Sequence, residues 1–275
     1  MPRNNVKKIS SPPVQVQNEQ NNLQSILGYV APTEHVALPS MGKFYPPDHS
    51  LNGIEEVEIR FLSAKELDIL SSKTLLSKGL AVDRMLQNIL IDKSINVDEL
   101  LLADKNAIII AARVGTFGSD YPVDITCPEC GNVYEHTFDL SEPETKDIEH
   151  VEVSENSTFF ITLPKTSVNV ECRLLNSKDE KFLEERAKKK EKMGLPDSSI
   201  TDQYKSFIVS LNGNTDRGLV DEFVDVMPAA DMHFLQKEYA KSNPELELDE
   251  ECVCTKCGNV SEVSVPFTAN FFWPE

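Results

Sequence analysis

The sequence predicts an α+β protein. Two related strand–helices–knuckle halves are joined at a four-cysteine, zinc-ribbon-like site, behind a disordered N-terminal tail. Three observations carry that expectation. The motif Cys127-Pro-Glu-Cys130-Gly-Asn-Val133 returns as Cys254-Thr-Lys-Cys257-Gly-Asn-Val260. The strand-like Val57-Glu-Ile-Arg-Phe-Leu62 returns as Val170-Glu-Cys-Arg-Leu-Leu175, identical at four of six positions. The pieces follow one another in the same order both times, the mark of an internal repeat. The offset is 113 residues at the strands (170 − 57) and 127 at the knuckles (254 − 127), so the second copy carries 14 more residues, assigned to its helices. The expected division is a tail over 1–33, a first half with the first knuckle over 34–145, and a second half over 146–275.

In chain order, Pro12-Pro13 and the Gln/Asn-rich run from Gln15 to Gln24 lack a periodic apolar face, hence the disordered tail. From His35 to Pro47 the prolines forbid regular helix, and Phe44-Tyr45 suggests an extended segment pinned to a surface by aromatics. Val57 to Phe61 alternates as a strand. Ser63-Ala-Lys-Glu66 is a capping box opening a helix that Gly79 closes. A second helix carries Val82, Met85, Leu86, Ile89 and Leu90 on one face, and Asp104 is expected to cap a third. Glu142 to Glu155 reads as an acidic linker. Beyond the repeated strand, a charged helix over Lys178 to Met193 and helical stretches near Asp202–Leu211 and Pro228–Lys241 lead to the second knuckle.

The knuckles are where chemistry is expected. Cys127, Cys130, Cys254 and Cys257 supply four thiolates, the complement of a closed tetrahedral zinc site. The two-residue spacer lets both sulfurs of a pair reach one ion, and the glycine after each second cysteine permits the positive φ of a tight turn. Redox-active or disulfide-bonded pairs are the alternative, but a thioredoxin-type motif opens a helix, whereas Gly-Asn and β-favouring residues follow here. A closed four-sulfur site has no open position, so the zinc is expected to be structural. Cys172, alternating with Val168, Val170 and Leu174, reads as a buried strand residue. Cys252 is a weaker substitute ligand.

Composition narrows the function classes. Across 275 residues the formal net charge is −18, which disfavours nucleic acid and anionic membrane surfaces as partners. No signal peptide or membrane-length apolar run is visible, and a reduced, cytoplasmic site of synthesis is expected. No phosphate loop, dinucleotide fingerprint, metalloprotease motif or nucleophile–base arrangement occurs, so neither an enzyme nor a small-molecule substrate is expected. A nucleic-acid-binding zinc ribbon and a redox chaperone remain as alternatives.

Ala37-Leu-Pro-Ser-Met-Gly-Lys-Phe-Tyr45, Cys127-Pro-Glu-Cys-Gly131 and Pro266-Phe-Thr-Ala-Asn-Phe-Phe-Trp273 together resemble the T4-type bacteriophage baseplate hub family, its hub subunits and hub assembly proteins. The resemblance covers roughly residues 35–275 and implies a non-enzymatic structural or assembly role in the central hub of the tail baseplate. Its partners would be other tail and baseplate hub proteins. Its place would be the host cytoplasm during assembly, with the virion tail baseplate as a destination. Phe44, Tyr45, Phe271, Phe272 and Trp273 are the candidate partner contacts, because aromatics dominate interface hot spots. For the C-terminal aromatics a second reading stays open, that they fold back over the second ribbon.

Overall fold

The computed structural model describes residues 31–141, 143–148, 150–267 and 269–272. All but the last residues of the expected tail lie outside that set. From Thr33 onward the chain forms one compact unit.

Strand β1 (Thr33–Ala37) pairs antiparallel with β2 (Glu56–Arg60), Val36 opposite Val57. The alternation of β2 turns Val57 and Ile59 into the core. Between the strands the chain turns instead of running extended, and Phe44 and Tyr45 are buried, not laid on a surface. Gly42 fixes that loop: its φ is +69°, and a Cβ there would fall 2.4 Å from the Ile54 nitrogen.

Ser63 does open a helix, α1 (Ala64–Ser71), and the capping box with Glu66 is formed. The expected single helix to Gly79 is, however, broken at Ser72, whose ψ of 106° is extended, and restarts as α2 (Lys73–Ser77). Helix α3 (Ala81–Ile89) buries Met85, Leu86 and Ile89 as its periodicity requires. Helix α4 (Leu102–Phe117) is capped by Leu101, not Asp104. Asp104 lies inside the first turn, accepting from the Ser40 N–H (2.9 Å), the Ser40 hydroxyl (2.6 Å) and the Tyr45 hydroxyl (2.7 Å). Burial lifts its pKa although Ser40 and Tyr45 oppose the rise.

After residue 150 the same local solutions return. Strands β6 (Phe159–Thr162), β7 (Asn169–Cys172) and β8 (Ile208–Leu211) form one antiparallel sheet in that order. Helix α5 (Ser177–Lys192) is opened by Asn176 in a capping box with Asp179. Arg60 forks onto Glu66 at 2.9 and 2.8 Å, and Arg173, 113 residues on (173 − 60), forks onto Asp179 at 2.6 and 2.8 Å. Each arginine ties the end of a strand to the first turn of the next helix, where a carboxylate also answers the helix dipole.

Helix α6 (Ser199–Phe207) ends where β8 begins, so the expected helix to Leu211 is a helix followed by a strand. Helix α7 (Arg217–Val226) has no counterpart among the expected elements; Asp216 caps it by accepting from Gly218 and Leu219. Helix α8 (Ala229–Ser242) carries Asp231 in its first turn, 127 residues after Asp104. Asp231 accepts from Lys165 N (2.8 Å), Thr166 N (2.9 Å) and the Thr166 hydroxyl (2.8 Å), pinning the loop after Leu163-Pro164 as Asp104 pins the loop after Leu38-Pro39. The expected acidic linker is structured where described: β5 (Glu144–Thr145) pairs with β9 (Leu246–Glu247), and Ile148 is buried.

Glu66 yields a pH prediction. Burial alone would raise its pKa, but hydrogen bonds from Arg60 and Ser63 override that and hold it at about 2, against an ordinary 4.5. A depressed carboxylate contributes stability that is present above its unfolded pKa and lost as pH falls through its folded one. Glu66→Gln is therefore expected to be less stable than wild type near neutrality. In denaturant titrations the gap should narrow as pH falls from about 4.5 toward about 2. A gap that stays constant across that window would refute the assignment.

Candidate metal centre

Each knuckle caps a β-hairpin. Strand β3 (Asp120–Thr126) pairs with β4 (Val133–Asp139), and β10 (Asp249–Val253) pairs with β11 (Val260–Ser264). Each hairpin closes with six residues between its innermost pairs, Thr126 with Val133 and Val253 with Val260. The two turns share one hydrogen-bond pattern. Cys127 N–H donates to Asn132 O (2.9 Å) and Gly131 N–H to Cys127 O (3.0 Å); Cys254 N–H donates to Asn259 O (2.9 Å) and Gly258 N–H to Cys254 O (3.0 Å). Gly131 and Gly258 have φ of 65° and 72°, the left-handed conformation the motif requires.

The four predicted cysteines meet. Their sulfurs lie within 4.8 Å of one another, with Cys127 and Cys257 3.7 Å apart and Cys130 and Cys254 also 3.7 Å apart. A tetrahedron with metal–sulfur bonds of about 2.3 Å has edges of about 3.8 Å, so the spacing is that of ligands around one ion. A disulfide needs about 2.05 Å, and all six cysteines are free thiols.

Electrostatics point the same way. The Cys257 N–H, then that of Lys256, hold the Cys254 thiol down to about 6. At Cys257 the Asn259 N–H also favours the thiolate, but hydrogen bonding to Cys130, burial and the other sulfurs push it up to about 12. Four crowded sulfurs cannot all ionise unaided, and a divalent cation removes that conflict. The donor set thus fits a metal ion, held by two sulfurs from each ribbon.

Cys172 is buried on β7, and burial pushes its thiol well up. Cys252 is buried but stands outside the cluster, its sulfur near Glu250 O. The ribbons also touch beyond the sulfurs. His136 Nε2 is 3.1 Å from Glu250 Oε2, while Glu250 Oε1 accepts from Asp139 N–H at 3.1 Å. The partner of His136 lies 114 residues away, beyond the reach of any local pattern.

Of the candidate partner contacts, Phe44, Tyr45, Phe271 and Phe272 are buried within this chain, and Trp273 lies outside the described residues. Phe44 meets Phe159 edge-on, centroids 6.2 Å apart, and Tyr45 stacks on His49 at 4.5 Å. Phe271 sits not over the second ribbon but on the first half, edge-on to Tyr121 at 5.1 Å, with the Arg113 guanidinium 5.9 Å from its ring. The Tyr121 hydroxyl donates to Pro266 O at 2.9 Å. Among the described residues no helix is long and apolar enough to cross a membrane.

Comparison with known proteins gives one family. A family model described as T4 bacteriophage base plate protein matches residues 40–273, so the match crosses both halves and includes all four clustered cysteines. No curated protein and no solved structure gives a significant match. The chain belongs to the T4 bacteriophage base plate protein family.

Proposed function

We propose that this baseplate protein is a non-enzymatic subunit or assembly factor of the baseplate hub, acting through protein–protein contacts. In this reading one structural zinc ion, bound by Cys127, Cys130, Cys254 and Cys257, clamps together two related halves, 34–145 and 146–275. The observation that carries it is the family match running through both halves, with the sulfur cluster assembled from the two knuckles. The paired Arg60–Glu66 and Arg173–Asp179 forks and the paired Asp104 and Asp231 anchors support a duplicated half. A four-sulfur site with no open position supports scaffolding over catalysis. The protein would meet hub partners in the host cytoplasm and enter the tail baseplate with them.

The test is affinity capture of the tagged protein from infected cells late in assembly, with mass spectrometry of finished particles. Baseplate hub proteins in the eluate, and the chain itself in or absent from the particle, would separate subunit from assembly factor. An eluate free of tail proteins would sink the hub reading.

A further inference from the structure

Helix α5 follows β7 as α1 follows β2, and each strand's arginine forks onto the first turn of its helix, but α5 has 16 residues where α1 has 8. The added length does not serve the core. Ser177 is the one buried residue of α5, and a helix polar on every side gains little from packing. Met193 and Leu195 are left exposed just past its end, and Ile200 at the start of α6. The charge changes here as well. Residues 173–217 hold ten lysines and arginines against eight acids, a net +2, so the rest of the chain carries −20 (−18 − 2).

A cleft of about 490 Å³ opens in this region. Helix α5 contributes Phe182 and Arg186 to it, α6 contributes Asp202 and Lys205, β8 contributes Val209, and α7 contributes Arg217. Its acids lie inward. The Asp202 side chain is 7% exposed and already holds Lys190 at 2.6 Å and Arg186 at 3.1 Å. Asp179 is engaged by Arg173. Its cations lie outward: the side chains of Arg186 and Arg217 are 43% and 54% exposed. Arg217 donates to the Lys205 and Ile208 carbonyls and has the exposed Asp221 at 3.4 Å. A guanidinium carries five N–H donors, so both arginines keep donors for a carboxylate. Phe182, 56% exposed, adds apolar surface to the same cleft. Deepening the contact function proposed above and resting on it, we propose that this cleft docks an acidic segment of a different protein. The segment's carboxylates meet Arg186 and Arg217, and an apolar side chain lies against Phe182. Arginine and aromatic side chains are the usual anchors of such contacts. Two copies of a chain at −18 repel each other, and a polyphosphate is repelled likewise, so the partner is a protein whose acidity is local.

The test follows the fluorescence anisotropy of three labelled probes: a peptide of aspartate, glutamate and leucine, the same peptide with asparagine and glutamine for the acids, and a single-stranded DNA. Each is titrated with full-length wild type, Arg186→Ala, Phe182→Ala and Lys241→Ala, the last a lysine outside the cleft. The acidic peptide is expected to bind wild type. Its affinity should fall about 10-fold or more with either cleft variant, and as much when its acids become amides. Lys241→Ala should bind as wild type. Both cleft side chains are exposed, so thermal melts should show the variants folded, and Phe182→Ala keeps the test open if Arg186→Ala does not fold. No binding, equal binding of the amide peptide, unchanged affinity in the cleft variants, or tighter binding of the DNA would each overturn the inference. So would a dimer, seen by sedimentation, that Arg186→Ala abolishes. Capture from infected cells separates this inference from the hub reading. Hub proteins held equally by wild type and Arg186→Ala would overturn the cleft alone. No tail proteins held by either, with the peptide result intact, would overturn the hub reading and leave the cleft.

Discussion

Elemental analysis of the purified chain is expected to give one zinc ion per molecule, and serine at Cys127, Cys130, Cys254 or Cys257 to remove it. One ion follows because each knuckle supplies only two sulfurs and the four lie within 4.8 Å of one another. The effect should be large. Zinc binding in small structural sites is worth about 10–16 kcal/mol in apparent free energy, and what is not spent ordering the knuckles is fold stability. Serine at one position leaves three sulfurs and an open coordination place, so chelators should strip such variants at concentrations the wild type withstands. Affinity should also fall as pH drops, because binding requires all four thiols ionised. Cys172→Ser and Cys252→Ser should leave the metal content unchanged, since neither residue joins the cluster. No zinc, or two ions per chain, would refute the shared site.

Phe271→Ala is expected to destabilise the isolated protein by about 3–5 kcal/mol, the range for emptying a buried aromatic site. In a domain of this size that is a fall in Tm of roughly 6–20 °C, at about 2–4 °C per kcal/mol. Phe271 is 2% exposed, lies edge-on to Tyr121 and Phe272, and covers the fully buried Arg113. Arg113 makes the loss worse than apolar area alone implies. Its guanidinium donates to the carbonyls of Gly118 and Asp120, while its Nε has no hydrogen-bond partner, so a missing ring would disturb a buried charge that is only partly satisfied. Truncation after Pro266 should be at least as damaging, because Phe272 is removed as well. Calorimetry on both variants decides it: a truncated chain as stable as the full one would show that the packing contributes nothing.

The four-cysteine cluster was legible in the sequence because its pattern is local. Spacing, the glycine and the strand-forming residues after each knuckle all fall within twelve residues, Cys127 to Phe138 and Cys254 to Val265. The pairing of one knuckle with the other was inferable only by counting sulfurs. The cap at Ser63 was legible for the same local reason. What failed was set by distant partners. Asp104 looked like a cap because aspartate before an apolar run usually is one, yet its role depends on Ser40 and Tyr45, about 60 residues back. Ile208 to Leu211 looked like the end of the helix that α6 begins, and only pairing with Val170, Glu171 and Cys172 of β7 makes it a strand. Glu144 and Thr145 carry no strand signal, and their partner β9 lies about 100 residues on.

The two ribbons each hand their trailing segment to the far half: β5 leaves the first ribbon and lies on β9, and the stretch from Pro266 to Phe272 leaves the second and closes on Tyr121 and Arg113. This exchange constrains how the chain can mature during translation. The first half cannot be finished as it emerges, because its Tyr121 waits for a carbonyl 145 residues later and its Cys127 for a thiol 130 residues later. Closing loops of that length favours late, slow steps. Until the second knuckle clears the ribosome a nascent chain shows the unpaired thiols of Cys127 and Cys130, and until Phe271 follows it shows an uncovered aromatic–arginine surface. That interval is the one in which a chaperone, or premature contact between neighbouring nascent chains, has something to bind.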